Sequence, residues 1–178
     1  MKKIFFLTFT FFFSNIIYSQ SKEEAIDFLK DQSFEWSCPS LRYPEGSSTR
    51  RLNISLVDEG NSSYLLFKVK RDEDIMTTGW INTKIYLSKI IRFSVTNESS
   101  DCRKILIHTK ANGIESYMTN NNGIVTMSSN KMIEFYTRFG WNNDNITLFG
   151  DKLRNDRVIK ALSFLANESG ASIRKSNF

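Results

Sequence analysis

The chain has 178 residues, 40% of them hydrophobic and 24% charged, with a formal net charge of +5 at pH 7. That length suits one domain with one core, and a charge this small and dispersed is a solubility feature, not a nucleic-acid footprint. One His and two Cys with no CxxC pattern speak against a zinc site or a redox motif.

The first segment, "MKKIFFLTFTFFFSNIIYSQ", pairs a cationic start (Lys2, Lys3) with an apolar run from Ile4 to Phe13. Polar Ser14 and Asn15 follow, and Ser19 is a small residue before a cut. This layout predicts a secretory signal peptide over 1–19 and an exported protein, periplasmic or extracellular. A spanning helix needs about 20 apolar residues and the run is roughly half that, so no membrane span is expected after cleavage. Without Lys2 and Lys3 the charge falls to +3, from 22 Lys+Arg against 19 Asp+Glu. Export places Cys38 and Cys102 where disulfides persist. A bond between them would close a loop of about 65 residues, which chain entropy values at roughly 4 kcal/mol. Two buried thiols are the alternative.

Next, "SKEEAIDFLKDQ" predicts a helix opened by a capping box, Ser21 with Glu24, with Ala25, Ile26, Phe28 and Leu29 on one face. Both prolines then fall in a connector, "SFEWSCPSLRYPEGSS", which Phe34 and Trp36 would pin to the core. "RLNISLV" and "YLLFKVKR" alternate as strands, and the turn "DEGNSS" between them predicts a hairpin. Further strands are expected around Trp80 to Leu87, around Ile91 to Thr96 and in "CRKILIHTK". A hairpin is expected to turn at Asn122-Gly123, and "KMIEFYTRF" reads as the last strand. About seven antiparallel strands joined by tight turns predict a mostly β fold, a barrel or sandwich. One amphipathic helix closes the chain, with Val158, Ile159, Ala161, Leu162, Leu165 and Ala166 on one face. Asp151 or Asn155 is its expected N-cap and Gly170 its left-handed stop. Its expected role is to plug the open end of the strand array, or the split between two sheets.

Strands followed by one C-terminal helix resemble the pleckstrin-homology-like barrel and its GRAM-type relatives. The wording "KIYLSKIIRFSV", "CRKILIHTK" and "RVIKALSFLANESG" is similar to small exported bacterial proteins of unknown function. The resemblance implies a fold over 51–170; the helix and connector over 20–50 and the Cys pair are additions to that pattern, and 171–178 reads as a disordered tail. Lipid-binding members of that group carry basic residues on and between the first two strands. Here that turn holds Asp58 and Glu59, so phosphoinositide binding is not expected.

No GxSxG, HExxH, Walker or GxGxxG pattern occurs, and no catalytic residue, cofactor or metal is expected. His108 reads as a structural residue on a strand face. Asp72, Glu73 and Asp74 lack EF-hand spacing and read as a solvated turn. Five N-x-S/T triplets, at Asn53, Asn61, Asn97, Asn145 and Asn167, fit an Asn-rich composition. Tyr136, Phe139 and Trp141, with Trp80, are candidates for a partner surface or else for core packing. The reading is a non-enzymatic exported module for an unknown protein or envelope component. A carrier of an apolar ligand and a hydrolase with an unrecognised site are the alternatives.

Overall fold

A computed structural model describes residues 21–32, 34–35, 53–71, 79–97, 102–120, 123–138 and 148–174. The expected signal peptide, Cys38, the acidic run 72–74, Phe139, Trp141 and Asn145 lie outside them.

Helix α1 (Lys22–Lys30) begins as its sequence predicts. The Ser21 hydroxyl accepts from the Glu24 N–H at 3.0 Å, and the Glu24 carboxylate accepts from the Ser21 N–H at 3.0 Å. Two backbone donors that a helix start leaves unpaired are thereby satisfied. Nine strands follow: β1 (Phe34–Glu35), β2 (Asn53–Glu59), β3 (Ser62–Arg71), β4 (Gly79–Tyr86), β5 (Ile90–Asn97), β6 (Cys102–Thr109), β7 (Ile114–Asn120), β8 (Gly123–Asn130) and β9 (Met132–Arg138). A 3-10 turn (Leu87–Lys89) separates β4 from β5, and helix α2 (Leu148–Glu168) comes last. Every strand pair is antiparallel, in two sheets ordered β2-β3-β4-β7-β8 and β1-β9-β6-β5. The sheets form a sandwich and do not close into a barrel.

The two sheets share three strands in all but name. β4 and β5 are one chain run bent at the 3-10 turn, β6 and β7 one run bent at 110–113, and β8 and β9 one run bent at Lys131. These three runs lie side by side in chain order, so β5–β6 and β4–β7 are two halves of one pairing, as are β6–β9 and β7–β8. Backbone bonds carry the ladder round the bend: Tyr86 N–H to Gly113 O at 3.0 Å, Lys110 N–H to Lys89 O at 2.9 Å, and Thr109 N–H to Lys131 O at 2.9 Å. A register shift between Ile90 and Arg92 sits at the same corner, where a bulge lets a strand bend. Gly113 is required there. A Cβ on it would meet the Thr109 side chain at 2.3 Å.

Strand alternation fills the space between the sheets. Leu65, Phe67, Val69, Ile85 and Ile114 face it from one sheet, and Phe93, Ile105, Ile107, Ile133 and Phe135 from the other. Phe67 stacks on Phe135 with centroids 4.4 Å apart, and Phe34 meets both rings edge-on at 6.4 and 6.1 Å. Each such side chain contributes about 1.5–3 kcal/mol on burial. Buried Thr83 is satisfied, its hydroxyl 3.0 Å from that of Ser116.

Because β2 and β3 overhang the first sheet while the second ends at β5, one side of the folded sheet is left open. The helices fill it: α1 packs on β2 and on α2, and α2 packs on the 3-10 turn and β5. Val158, Ile159, Ala161, Leu162, Leu165 and Ala166 are all buried and Lys160 is exposed, as the helical spacing predicts. Gly170 has φ +81°. Ala171 N–H bonds Ala166 O and Gly170 N–H bonds Asn167 O, each at 2.9 Å, the two bonds of a Schellman stop.

Three expectations are corrected. α2 starts at Leu148, so Asp151 and Asn155 lie inside the helix and neither is its N-cap. Gly150 falls in the first turn of that helix. The second hairpin reverses one residue earlier than expected. Gly123, with φ +115°, already pairs with Asn120 and belongs to β8. A two-residue β1 joins the expected strands, too short to leave a periodic signal.

Candidate functional site

Two outward faces carry the side chains from which a site could be built. On the second sheet, register places Arg92, His108 and Met132 in one row and Ser94, Leu106 and Glu134 in the next. His108 Nε2 and Ser94 Oγ lie 3.1 Å apart. Such a pair resembles a nucleophile with its base, so the third group decides its chemistry. A base needs a carboxylate to orient it and to stabilise the imidazolium. Glu134, the carboxylate of the next row, instead accepts from Lys104 Nζ at 3.3 Å. Burial, and after it the positive charge of Arg92, lowers the His108 pKa below its ordinary 6.5. Arg92 therefore opposes the charge that a base must take up. The pair is a cross-strand tie between neighbouring rows.

On the first sheet, the face turned away from the core holds three tyrosines. The Tyr64 hydroxyl donates to Glu59 Oε1 at 2.6 Å and the Tyr86 hydroxyl to Glu115 Oε2 at 3.0 Å. Their rings meet edge-on at 5.6 Å, with Lys84 Nζ 4.6 Å over Tyr64 and Lys89 Nζ 4.9 Å over Tyr86. Burial first, and then these carboxylate bonds, raises both phenol pKa values above 10. Asn82 is buried beside them and donates to Thr119 Oγ1 at 3.1 Å. This half of the face is tied together by hydrogen bonds and ring contacts.

Farther from the corner the same face changes character. Trp80 pairs with Thr119, which pairs with Ile124; in the next row Asn82 pairs with Tyr117, which pairs with Met127. Trp80 is 40% exposed, Ile124 67% and Met127 64%. Three large apolar side chains thus sit on adjacent rows of one sheet face, in water. Isolated exposed apolar residues need no explanation, but a contiguous group marks an interaction surface.

The residues singled out from sequence fall elsewhere. Tyr136 stands opposite Lys104 and Glu35 in the second sheet, whereas Trp80 belongs to the first. Cys102 opens β6 opposite Arg138. Ile124 and Met127 were missed. The available signal was a Trp on the polar side of "GWINTKIY", and "GIVTMSSN", a strand with apolar residues and no charge. Among the described residues no cluster of His, Cys, Asp or Glu could hold a metal ion, and no helix is long and apolar enough to cross a membrane. Comparison with known proteins found no matching family model and no match among curated proteins or solved structures.

Proposed function

We propose that the protein is an exported, non-enzymatic binding module that takes a protein or another envelope component on the face carrying Trp80, Ile124 and Met127. The apolar group at the end of an otherwise hydrogen-bonded face is the observation behind this reading. The Phe34, Phe67 and Phe135 rings fill the interior, which favours a surface binder over a carrier of an apolar ligand. The positive neighbour of His108 weighs against the hydrolase. The strand array ended by a helix is in keeping with a pleckstrin-homology-like origin, a group in which one fold serves many partners.

The test is capture from an envelope fraction by the immobilised mature chain. Trp80→Ala with Ile124→Ala should abolish capture of a partner that the parent protein retains. Lys160→Ala, on α2, should leave capture unchanged. No specific capture by the parent, or equal capture by all three proteins, ends the proposal.

A further inference from the structure

Among the described residues the sandwich has four strand edges, and three of them are protected. At β2, α1 lies alongside and the exposed Asp58 and Glu59 add charge, with Lys22 Nζ 2.9 Å from Asp58. At β5, the chain after α2 returns and Arg174 N–H donates to Ile91 O at 2.9 Å, beside exposed Arg92. β1 is two residues long. Short strands, charges and covering segments are the usual means of keeping sheet edges from pairing with other chains. Among the described residues β8 shows none of them. It is eight residues long, "GIVTMSSN", with no charge and no proline, and among the described residues no strand lies on its outer side.

The ladder shows which groups this edge offers. Tyr86 N–H bonds Gly113 O, in line with the β4–β7 register. Antiparallel pairs alternate between bonded and unbonded, so Glu115 and Tyr117 also bond β4, and Ile114, Ser116 and Met118 bond β8. Their partners are Asn130, Ser128 and Thr126. Met127 and Ser129 therefore aim N–H and C=O away from β7, into the open edge.

We propose that two copies of this chain pair their β8 strands antiparallel about a two-fold axis at Ser128, with Met127 of each copy bonding Ser129 of the other. An antiparallel two-fold pairing sets the residues nearest its axis beside their own counterparts, so the middle of an edge that uses it must be free of like charges. β8 meets that condition over its whole length, and β2, with its adjacent acids, does not. The first charge beyond it is Lys131. The two copies of Lys131 would be about 20 Å apart at about 3.4 Å per residue, well beyond a Debye length of about 10 Å. The pairing also brings the two exposed Met127 side chains within diagonal reach and joins the two sheets into one of ten strands. It shares Met127 with the proposed partner face but rests on the backbone edge of β8, not on the Trp80 and Ile124 side chains.

Sedimentation of the mature chain across a concentration series tests this. The parent protein should pass from monomer to dimer as concentration rises, with the amides of Met127 and Ser129 protected from exchange in the dimer. Met127→Pro removes an outward N–H without touching the β7 ladder, and should give a monomer. Ser128→Lys places like charges opposite each other on an exposed site and should do the same, while circular dichroism stays as in the parent. A parent protein that stays monomeric up to near-millimolar concentration overturns the proposal. So does a dimer that survives in both variants.

Discussion

Below about pH 6.5, the ordinary pKa of His, an unfolded chain takes up a proton on His108 that the folded chain resists. Burial and Arg92 lower the folded value, so the unfolded state binds more protons in the window just below 6.5. Stability is then fully present above that pH and falls as pH drops through the folded pKa. His108→Gln should flatten this part of the profile, read as denaturant midpoints at pH 7.5 and 5. If both proteins lose the same stability, His108 is not the group responsible. Tyr64 and Tyr86 act at the other extreme. Their raised pKa values mean that stability present below pH 10 is lost as the pH rises above it. Gly113 supplies a second residue-scale test. With a Cβ only 2.3 Å from Thr109, Gly113→Ala should cost about 1–3 kcal/mol, the range for overpacking, in a thermal or denaturant melt. The sequence placed His108 on the polar side of its strand, and it lies there. It could not show Ser94 or Arg92 beside it, because they depend on the β5–β6 register and its shift between Ile90 and Arg92.

At the scale of elements, α2 was legible where burial repeats and illegible where it begins. Its buried face from Val158 to Ala166 follows from spacing alone, since each residue's position on a helix is fixed by its number. The start at Leu148 is not encoded in that pattern. Leu162→Ala and Leu165→Ala should each cost about 2–5 kcal/mol in denaturant melts, because both side chains are buried between α1, the 3-10 turn and β5. Lys160→Ala, exposed on the same helix, should shift stability by less than about 0.5 kcal/mol. Equal small losses at all three would make α2 peripheral to the core. The strands read well for a related reason: inward Leu65, Phe67 and Val69 alternate with outward residues. What alternation cannot say is that β4 and β5 are halves of one bent run, because the bend lies in the hydrogen bonding around Gly113. The apolar group on the first sheet was missed for the same reason. Trp80, Ile124 and Met127 are far apart in sequence, and only the β4–β7–β8 register gathers them.

For the whole molecule, the open claims are export and its consequence for the cysteines. Intact mass of the protein recovered from the periplasm or medium should lack residues 1–19 and begin at Gln20. A full-length chain retained in the membrane fraction would remove export, and with it the envelope partner. If Cys38 and Cys102 are joined, the native exported protein should show no titratable thiol and should gain mass on alkylation only after reduction. Two reactive thiols in native protein would set the bond aside. A joined pair would tie the chain before β2 to the start of β6, across about 65 residues.

The bent meander also fixes the order in which this protein can assemble. From β2 to β9 each new run of the bent meander pairs with the run before it, so the runs can zip one after another at little loop-closure cost. Long-range contacts break that rule, among them Phe34 with Thr137 and α1 with α2. A chain emerging from its N-terminus therefore makes the β1 segment early and can pair it only when β9 arrives, Phe34 waiting for Thr137.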